Sequence, residues 1–208
     1  MRIRMDDLKY PFYLITHPFD GFWDLKYDKR GKLSIAIGIL LLFTMTVIFK
    51  LQSAGFLVNF ARQSELNSID ELTYVVMPFL LWCIANWSLT TLMDGEGKFV
   101  EIIIATAYAM VPMILIYIPT TIISNFITLR EATFYVFFDA FATFWFMALV
   151  FIGTMTIHQY SVTKTVITIG LTIVVMCIVV FLGLLFFSLL QQMITFVLTI
   201  YQELVLRL

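Results

Sequence analysis

The chain has 208 residues, of which 61% are apolar, 16% aromatic and only 13% charged, with a formal net charge of -1. Soluble domains are about 45–50% apolar and about 25% charged, and a small domain cannot hide such an apolar excess in its interior. The composition excludes a soluble enzyme, a disulfide scaffold, a disordered tail and a basic nucleic-acid binder. With a mean hydropathy of +0.95, the chain is predicted to be solvated by lipid.

The first predicted element is a polar head over residues 1–32. Within it, residues 17–27 place Phe19, Phe22 and Trp23 at helical spacing against charged residues. An aromatic face opposite a charged face is typical of a helix that lies in the membrane interface. These three residues are therefore predicted as an interfacial anchor. A peripheral helix that only orients the first span is the alternative interpretation.

Five apolar runs follow the head, each near the roughly 20 residues that a helix needs to cross a bilayer. Lipid offers no hydrogen bonds to an open backbone, and the runs are too long for barrel strands, so helices are predicted. The predicted fold class is all-α: a polytopic bundle of five transmembrane helices that forms one membrane domain over 33–187. The predicted spans are 33–51, 72–93, 101–124, 133–157 and 165–187.

The third predicted span contains two prolines, Pro112 and Pro119, seven residues apart and hence on one helix face. Each proline lacks an amide proton and frees the carbonyl four residues earlier, at Tyr108 and Leu115. Membrane helices tolerate such prolines where neighbouring groups satisfy the freed carbonyls. A kinked third helix is predicted, with a gate as one use of the kink.

Asp139 is the one ionisable side chain well inside a predicted span, about 10 Å from its outer boundary at about 1.5 Å per residue. A charge at such a position is costly and suggests a function. Counting depth along the third span brings Tyr117 to the same level, where its hydroxyl can bond the carboxyl group. Two interpretations stay open: a proton or cation site, or a carboxyl group that locks the third and fourth spans together.

The same depth counting predicts a second polar layer in the cytoplasmic half of the membrane. Asn86 and Thr90 of the second span fall near the level of Tyr108 in the third and Thr172 in the fifth. Amides and hydroxyls between membrane helices contribute about 0.6–2 kcal/mol each. Helix packing is the simplest use of this layer, and together with Asp139 and Tyr117 it forms the candidate polar site inside the membrane.

The last predicted element is an amphipathic C-terminal helix over 188–208. Polar residues recur there at steps of three and four, which places them on one helical stripe. Either this helix lies along the outer membrane face, or the fifth span continues past the bilayer. The stripe either lies at the lipid headgroups or seats the helix against a partner. Its members are Ser188, Gln191, Gln192, Thr195, Thr199, Gln202 and Glu203.

Basic residues near the span ends predict that the N-terminus is cytoplasmic and the C-terminus is outside. The predicted outer side has only Lys50, Arg62, Arg130 and Arg207. The predicted cytoplasmic side collects the other Lys and Arg residues, which are Arg2, Arg4, Lys9, Lys26, Lys29, Arg30, Lys32, Lys98 and Lys164.

No enzyme motif is apparent. DGEGK at 94–98 resembles a phosphate-binding loop, but Leu92 replaces its first glycine and Phe99 its Ser or Thr, so a tight turn is predicted. His17 and His158 are the only histidines, and neither has a carboxylate at metal-ligand spacing. We therefore expect no catalytic residues, no cofactor and no metal.

Several short motifs occur in an order that resembles the Yip1 family of five-span membrane proteins. They are HPF at 17–19, NW at 86–87, DGEGKF at 94–99, AYAMVP at 107–112 and HQYS at 158–161. The resemblance covers roughly residues 17–187. It implies five spans and, for eukaryotic members, ER or Golgi membranes with links to Rab GTPases and vesicle traffic. The head here is short, so the chain looks more like the bacterial branch, and Rab binding is not carried over.

Together these features predict a non-enzymatic membrane protein that acts by interaction, as a scaffold, adaptor or membrane-organising factor. Its expected partners are the lipid bilayer and other membrane proteins or further copies of itself, without nucleic acid. The alternative is a small transporter or an accessory transporter subunit that uses Asp139 and the kinked third helix. The expected location is a bacterial plasma membrane, or an endomembrane if the chain is eukaryotic.

Overall fold

The computed structural model describes residues 5–59 and 67–206, which form eight helices and no strand. The predicted all-α class is therefore confirmed. Arg2, Arg4, Arg62 and Arg207, used above for orientation, lie outside the described residues. The helices are α1 (Met5–Thr16), α2 (Pro18–Tyr27), α3 (Leu33–Ser53), α4 (Ser68–Leu92), α5 (Phe99–Ala109), α6 (Val111–Ile123), α7 (Ala132–His158) and α8 (Val162–Leu206).

Five segments are long and apolar enough to span a membrane: α3, α4, α5 with α6, α7, and α8. The five-span bundle predicted from the sequence is confirmed. The α5–α6 span is central, because 61% of its most apolar stretch is buried, against 33% or less in the other four. It packs against α3, α4 and α7, so the core of the bundle is built around it.

Polar capping extends α4 beyond its apolar run. The structure begins this helix at Ser68 rather than at 72, since the Asn67 side chain accepts a hydrogen bond from the Ile69 amide at 3.1 Å. Asp70 and Glu71 lie in the first turn, where the helix dipole favours acidic residues. Hydropathy alone does not detect this first turn.

A helical hairpin of α1 and α2 packs on one end of the bundle, which we call the head end. The two helices approach closely, since a Cβ at Gly21 would lie 2.9 Å from Cα of Leu14. The Tyr10 hydroxyl donates to the Gly21 carbonyl at 2.5 Å, and burial raises the pKa of Tyr10. The spacing of aromatic and charged residues predicts α2, whereas α1 has no such pattern.

The segments that follow α3 and α6 contact each other at the opposite end of the bundle, which we call the far end. The Gly55 amide donates to the Ser124 hydroxyl at 2.8 Å, and the Asn125 side chain donates to the Ser53 carbonyl at 2.8 Å. These bonds tie the end of α3 to the end of α6, so the first and third spans are held in register.

The helix α8 continues without interruption through the segment predicted as a separate C-terminal helix. It is roughly 67 Å long at about 1.5 Å per residue, about twice the hydrocarbon thickness. Among its described side chains, only those of Thr165, Thr168 and Thr172 in the first turns are buried, where the helix packs against α4 and α7. Of the two arrangements that the sequence leaves open, the structure has the one in which the fifth helix continues through the amphipathic segment.

Candidate interaction site at the head end

Three distant segments of the chain meet at the head end around the buried side chain of His158. The Gly97 amide donates to His158 Nδ1 at 3.3 Å, and His158 Nε2 lies 3.2 Å from Asn86 Oδ1. The segments are the 94–98 turn, the last residue of α7 and the buried face of α4. His158 therefore connects both helices to the turn between α4 and α5.

The two hydrogen bonds determine the tautomer of the His158 ring. Nδ1 accepts a hydrogen bond from the Gly97 amide, so it carries no proton. In a neutral ring Nε2 therefore carries the proton, which it donates to Asn86 Oδ1. A neutral ring satisfies both partners at once. A leucine at this position would satisfy neither.

The Asn86 amide nitrogen has no hydrogen-bond partner within the described residues, although it is buried. Asn86 lines a cavity of about 10 Å³ that the side chains of Thr106 and Thr154 also line. A cavity of this size is near the lower limit for one water molecule. The amide and the two hydroxyls give such a water polar neighbours.

The glycines of the 94–98 turn allow its backbone to approach the His158 ring. A Cβ at Gly97 would lie 2.6 Å from Cε1 of His158 and 2.6 Å from Cγ2 of Ile157. A Cβ at Gly95 would lie 2.6 Å from the Tyr160 hydroxyl oxygen. Any side chain at these two positions would push the turn away from α7, so the close fit requires glycine.

Tyr160 fastens the other side of the same turn. Its hydroxyl donates to the Met93 carbonyl at 3.0 Å and lies 3.4 Å from the Thr90 carbonyl. Burial, together with the Asp94 carboxylate, raises the pKa of Tyr160, which keeps the hydroxyl protonated as a donor. Its ring also stacks on His158, with centroids 5.4 Å apart.

Polar contacts also fasten the head to the bundle. Lys26 of α2 forms a salt bridge with Glu96 of the turn at 2.5 Å. The backbone amide of Lys32 donates to the Tyr108 hydroxyl at 3.2 Å, and the Lys32 ammonium pairs with Asp7 of α1. Tyr108 thus contacts the head, whereas Asn86, predicted at a similar depth, contacts His158.

The predicted aromatic anchor divides into two faces in the structure. Phe19 and Trp23 are exposed, and Tyr27 extends their stripe along α2. Phe22 is fully buried against α7, where a Cβ at Gly153 would lie 3.0 Å from the Phe22 ring. Phe22 is therefore a core residue and not part of an interfacial anchor, because Gly153 leaves space for its ring.

A second polar group lies near the far end around Asp139. The Asp139 carboxylate pairs with the Lys50 ammonium from the last turn of α3. That ammonium also lies over the Tyr117 ring, 3.9 Å from its centroid, and 5.9 Å from the Tyr135 centroid. Both charges are partly buried, with side-chain exposures of 21% for Lys50 and 37% for Asp139.

The Tyr117 hydroxyl, predicted at the depth of Asp139, lies closest to a neighbouring threonine in the structure. The Tyr117 hydroxyl lies 3.4 Å from the Thr143 hydroxyl, and Thr143 donates to the Asp139 carbonyl at 3.0 Å. Tyr117 reaches the site through its ring, which contacts the cation. The contacts among Lys50, Tyr117 and Asp139 hold α3, α6 and α7 together. The positive charge of Lys50 compensates the negative charge of Asp139.

The structure interrupts the third span beside one of its two prolines. Helix α5 ends at Ala109, and α6 begins at Val111 with Pro112 in its first turn. The amides of Met113 and Ile114 both donate to the Met110 carbonyl, at 3.1 and 3.3 Å. The helix α6 continues through Pro119, so the interruption lies at Met110.

A cleft of about 1250 Å³ separates α8 from the rest of the bundle. It is mainly apolar, and Lys50 and Tyr117 reach it from the far-end group. Within the described ranges, no three His, Cys, Asp or Glu side chains are grouped in a way that could hold a metal.

Lys50, Glu96 and the pairing of Asn86 with His158 were not identified from the sequence as site features. Lys50 directly follows the apolar residues Val47, Ile48 and Phe49, and its place near the end of the span assigns it to the basic residues that set the orientation. One feature of the sequence could have identified Lys50 as a site residue, namely its position inside the predicted span 33–51. For His158, the signal was its place in the motif HQYS at 158–161.

The comparisons with known proteins agree with this architecture. The Yip1 domain family model matches residues 12–200. No curated protein and no solved structure matches the chain. The matched range includes α2, the 94–98 turn and His158, which meet at the head end, and it confirms the resemblance drawn from the motifs. The chain therefore belongs to the Yip1 domain family of membrane proteins.

Proposed function

We propose that this protein is a non-enzymatic membrane scaffold or adaptor whose working surface is the head end. The observation that supports this most is that the hairpin, the 94–98 turn and the end of α7 are joined into one polar unit. A surface held in one arrangement pays less conformational entropy when a partner binds. Several charged groups stay exposed around it, including Asp20, Asp28 and Lys98.

The head end faces the cytoplasm in this proposal. Among the described residues, Lys50 and Arg130 are the basic side chains near the far end. More basic side chains lie at the head end than at the far end, and this difference favours a cytoplasmic head. The head-end residues are Lys9, Lys26, Lys29, Arg30, Lys32, Lys98 and Lys164.

The exposed stripe of Phe19, Trp23 and Tyr27 anchors the hairpin in the headgroup region. Trp23 and Tyr27 pack together with ring centroids 4.3 Å apart, which presents a broad amphipathic surface. Trp and Tyr rings favour the membrane interface because one part of each ring system is apolar and another part forms hydrogen bonds. Asp20 lies exposed beside the stripe and would remain in water.

Site-specific photocrosslinking in cells tests this arrangement. We expect a benzoylphenylalanine in place of Trp23 to form adducts with phospholipid. We expect the same probe in place of Lys98 to form a discrete protein adduct, because that position is exposed on the head-end surface. Adducts are separated by electrophoresis and identified by mass spectrometry.

Phe126 provides the matched control, since its side chain is exposed at the far end. The probe there should give no discrete cytoplasmic protein adduct. The scaffold proposal fails if Lys98 and Phe126 give the same adduct pattern. The anchor fails if the probe at Trp23 captures no lipid.

A small transporter or transporter subunit is the second candidate. It is favoured by one observation: Lys50 and Tyr117 belong to the far-end charge group and also line the large cleft beside α8. The compensated charge of Asp139 argues for a structural role instead, because the ammonium already neutralises the carboxylate. The Asp139 variants described in the Discussion separate the two candidates.

A further inference from the structure

The orientation of the Asn86 side chain follows from its contact with the His158 ring. Nδ1 of His158 accepts from the Gly97 amide, so Nε2 of the neutral ring carries the proton. That proton needs an acceptor, and the Asn86 atom 3.2 Å away is therefore the carbonyl oxygen Oδ1. The reversed amide would set its own N–H groups against the Nε2 proton. The Asn86 amide nitrogen consequently points away from His158.

This nitrogen is a buried donor that lacks an acceptor among the described residues. Asn86 is only 1% exposed, and its amide nitrogen forms no hydrogen bond within the described part of the chain. Native structures nearly always supply a partner for such a group. Asn86 lines a cavity of about 10 Å³ between α4, α5 and α7, which is near the smallest volume that holds one water molecule. An acceptor in this cavity would satisfy the amide.

Two threonines supply acceptors to the same cavity. Thr106 of α5 and Thr154 of α7 are buried and line it. Each hydroxyl donates its only proton to the carbonyl four residues earlier, at Ile102 and Val150, over 2.8 Å. Each oxygen keeps two lone pairs, so Thr106 still has one available beside the Cys83 thiol that it contacts. The cavity therefore offers one unused donor and two oxygens that can only accept.

We propose that one water molecule binds in this cavity and joins α4, α5 and α7. Its oxygen accepts from the Asn86 amide, and its two protons are donated to the hydroxyl oxygens of Thr106 and Thr154. Buried waters typically make about three hydrogen bonds, which is the number available here. A metal ion does not match the site, because the Asn86 N–H would point at a cation. A larger solute does not fit a cavity of about 10 Å³.

The water acts on the head end through Asn86 and His158. It holds the Asn86 amide so that Oδ1 stays directed at His158, whose other nitrogen accepts from the Gly97 amide. Residues 95–99 are therefore positioned in part by a water that they do not contact. The water site does not depend on a partner at the head end, so it is tested separately from the scaffold function.

Nuclear magnetic resonance of the chain in lipid nanodiscs, with 15N-labelled asparagine, detects this water directly. The Asn86→Gln variant identifies the Asn86 side-chain signal. We expect its protons to give a rotating-frame cross-peak with water that has the sign of dipolar contact, because the bound water is long-lived. Asn67, which is exposed at the start of α4, is the control and should show only chemical exchange. Absence of the dipolar cross-peak at Asn86 would overturn the proposal.

Threonine variants then test the partners of the water. Thr106→Val combined with Thr154→Val removes both acceptors at nearly constant volume. The cross-peak should disappear, and amide hydrogen exchange at 95–99 should accelerate roughly fivefold, because Asn86 is no longer held. Serine at both positions keeps the hydroxyls and should preserve the cross-peak and the slow exchange.

Thr44→Val is the matched control for these variants. Thr44 is buried and donates to the Leu40 carbonyl at 2.9 Å, but it does not line the cavity. This variant should change neither the cross-peak nor the exchange. Survival of the cross-peak or of slow exchange in the double valine variant would contradict the proposal. If that variant does not fold, the cross-peak of the parent chain decides.

Discussion

We expect His158→Leu to lower the free energy of unfolding by about 2–4 kcal/mol. The substitution leaves the Gly97 amide and the Asn86 carbonyl oxygen without their partners in a buried site. An unsatisfied buried polar group costs about 1–3 kcal/mol. The measurement is unfolding by SDS titration in mixed micelles. Hydrogen exchange should also accelerate at residues 95–99, since the turn loses its bond to α7.

A double-mutant cycle separates this hydrogen-bond effect from lost packing. His158→Leu combined with Asn86→Leu removes both members of one pair, so the double variant should be less destabilised than the sum of the two single variants. Val162→Ala, at an exposed position four residues after His158, should change stability by less than about 0.5 kcal/mol. Strict additivity of the two leucine substitutions, with unchanged exchange in the turn, would refute the head-end arrangement.

We expect Lys50→Ala to destabilise the bundle by about 1–3 kcal/mol, because it leaves the Asp139 carboxylate unpaired near the far end. Asp139→Asn should cost less, since the Lys50 ammonium keeps its position over the Tyr117 ring. Lys50→Ala combined with Asp139→Asn should recover part of the stability that Lys50→Ala loses. SDS titration measures all three variants, and equal costs for the two single variants would contradict this order.

The same Asp139→Asn variant separates the scaffold from the transporter. In reconstituted vesicles loaded with a pH-sensitive dye, the scaffold proposal expects equal proton flux for the parent chain and the variant. Tyr117→Phe keeps the ring that contacts Lys50 and is the control for local disturbance. Loss of a proton flux in Asp139→Asn at unchanged stability would establish the transporter instead.

The five spans and their helical structure could be predicted because they depend on local composition. A run of about 20 apolar residues in lipid has to satisfy its own backbone, whatever its neighbours are. The cap at Asn67 and the length of α8 show the limits of hydropathy, because a helix can continue beyond the apolar run that suggests it.

Side-chain pairings could not be predicted, because depth counting gives height along the bundle and not direction around a helix. Asn86 was placed at the level of Tyr108, but their helix faces meet different neighbours, His158 and Lys32. Likewise, spacing grouped Phe22 with Phe19 and Trp23. Only the packing of α2 on α7 reveals the space above Gly153 that takes the Phe22 ring.

The docking of the hairpin on the 94–98 turn is tested most directly by crosslinking Lys26→Cys with Glu96→Cys. The two native side chains form a salt bridge at 2.5 Å, so a short bis-methanethiosulfonate reagent should join the cysteines within one chain. Asp20→Cys with Glu96→Cys is the control, because Asp20 is exposed on another face of α2. We predict an efficient intramolecular crosslink for the first pair and little for the second. Failure of the first pair to crosslink, while both cysteines still react with maleimide, would contradict a head that is joined to the bundle.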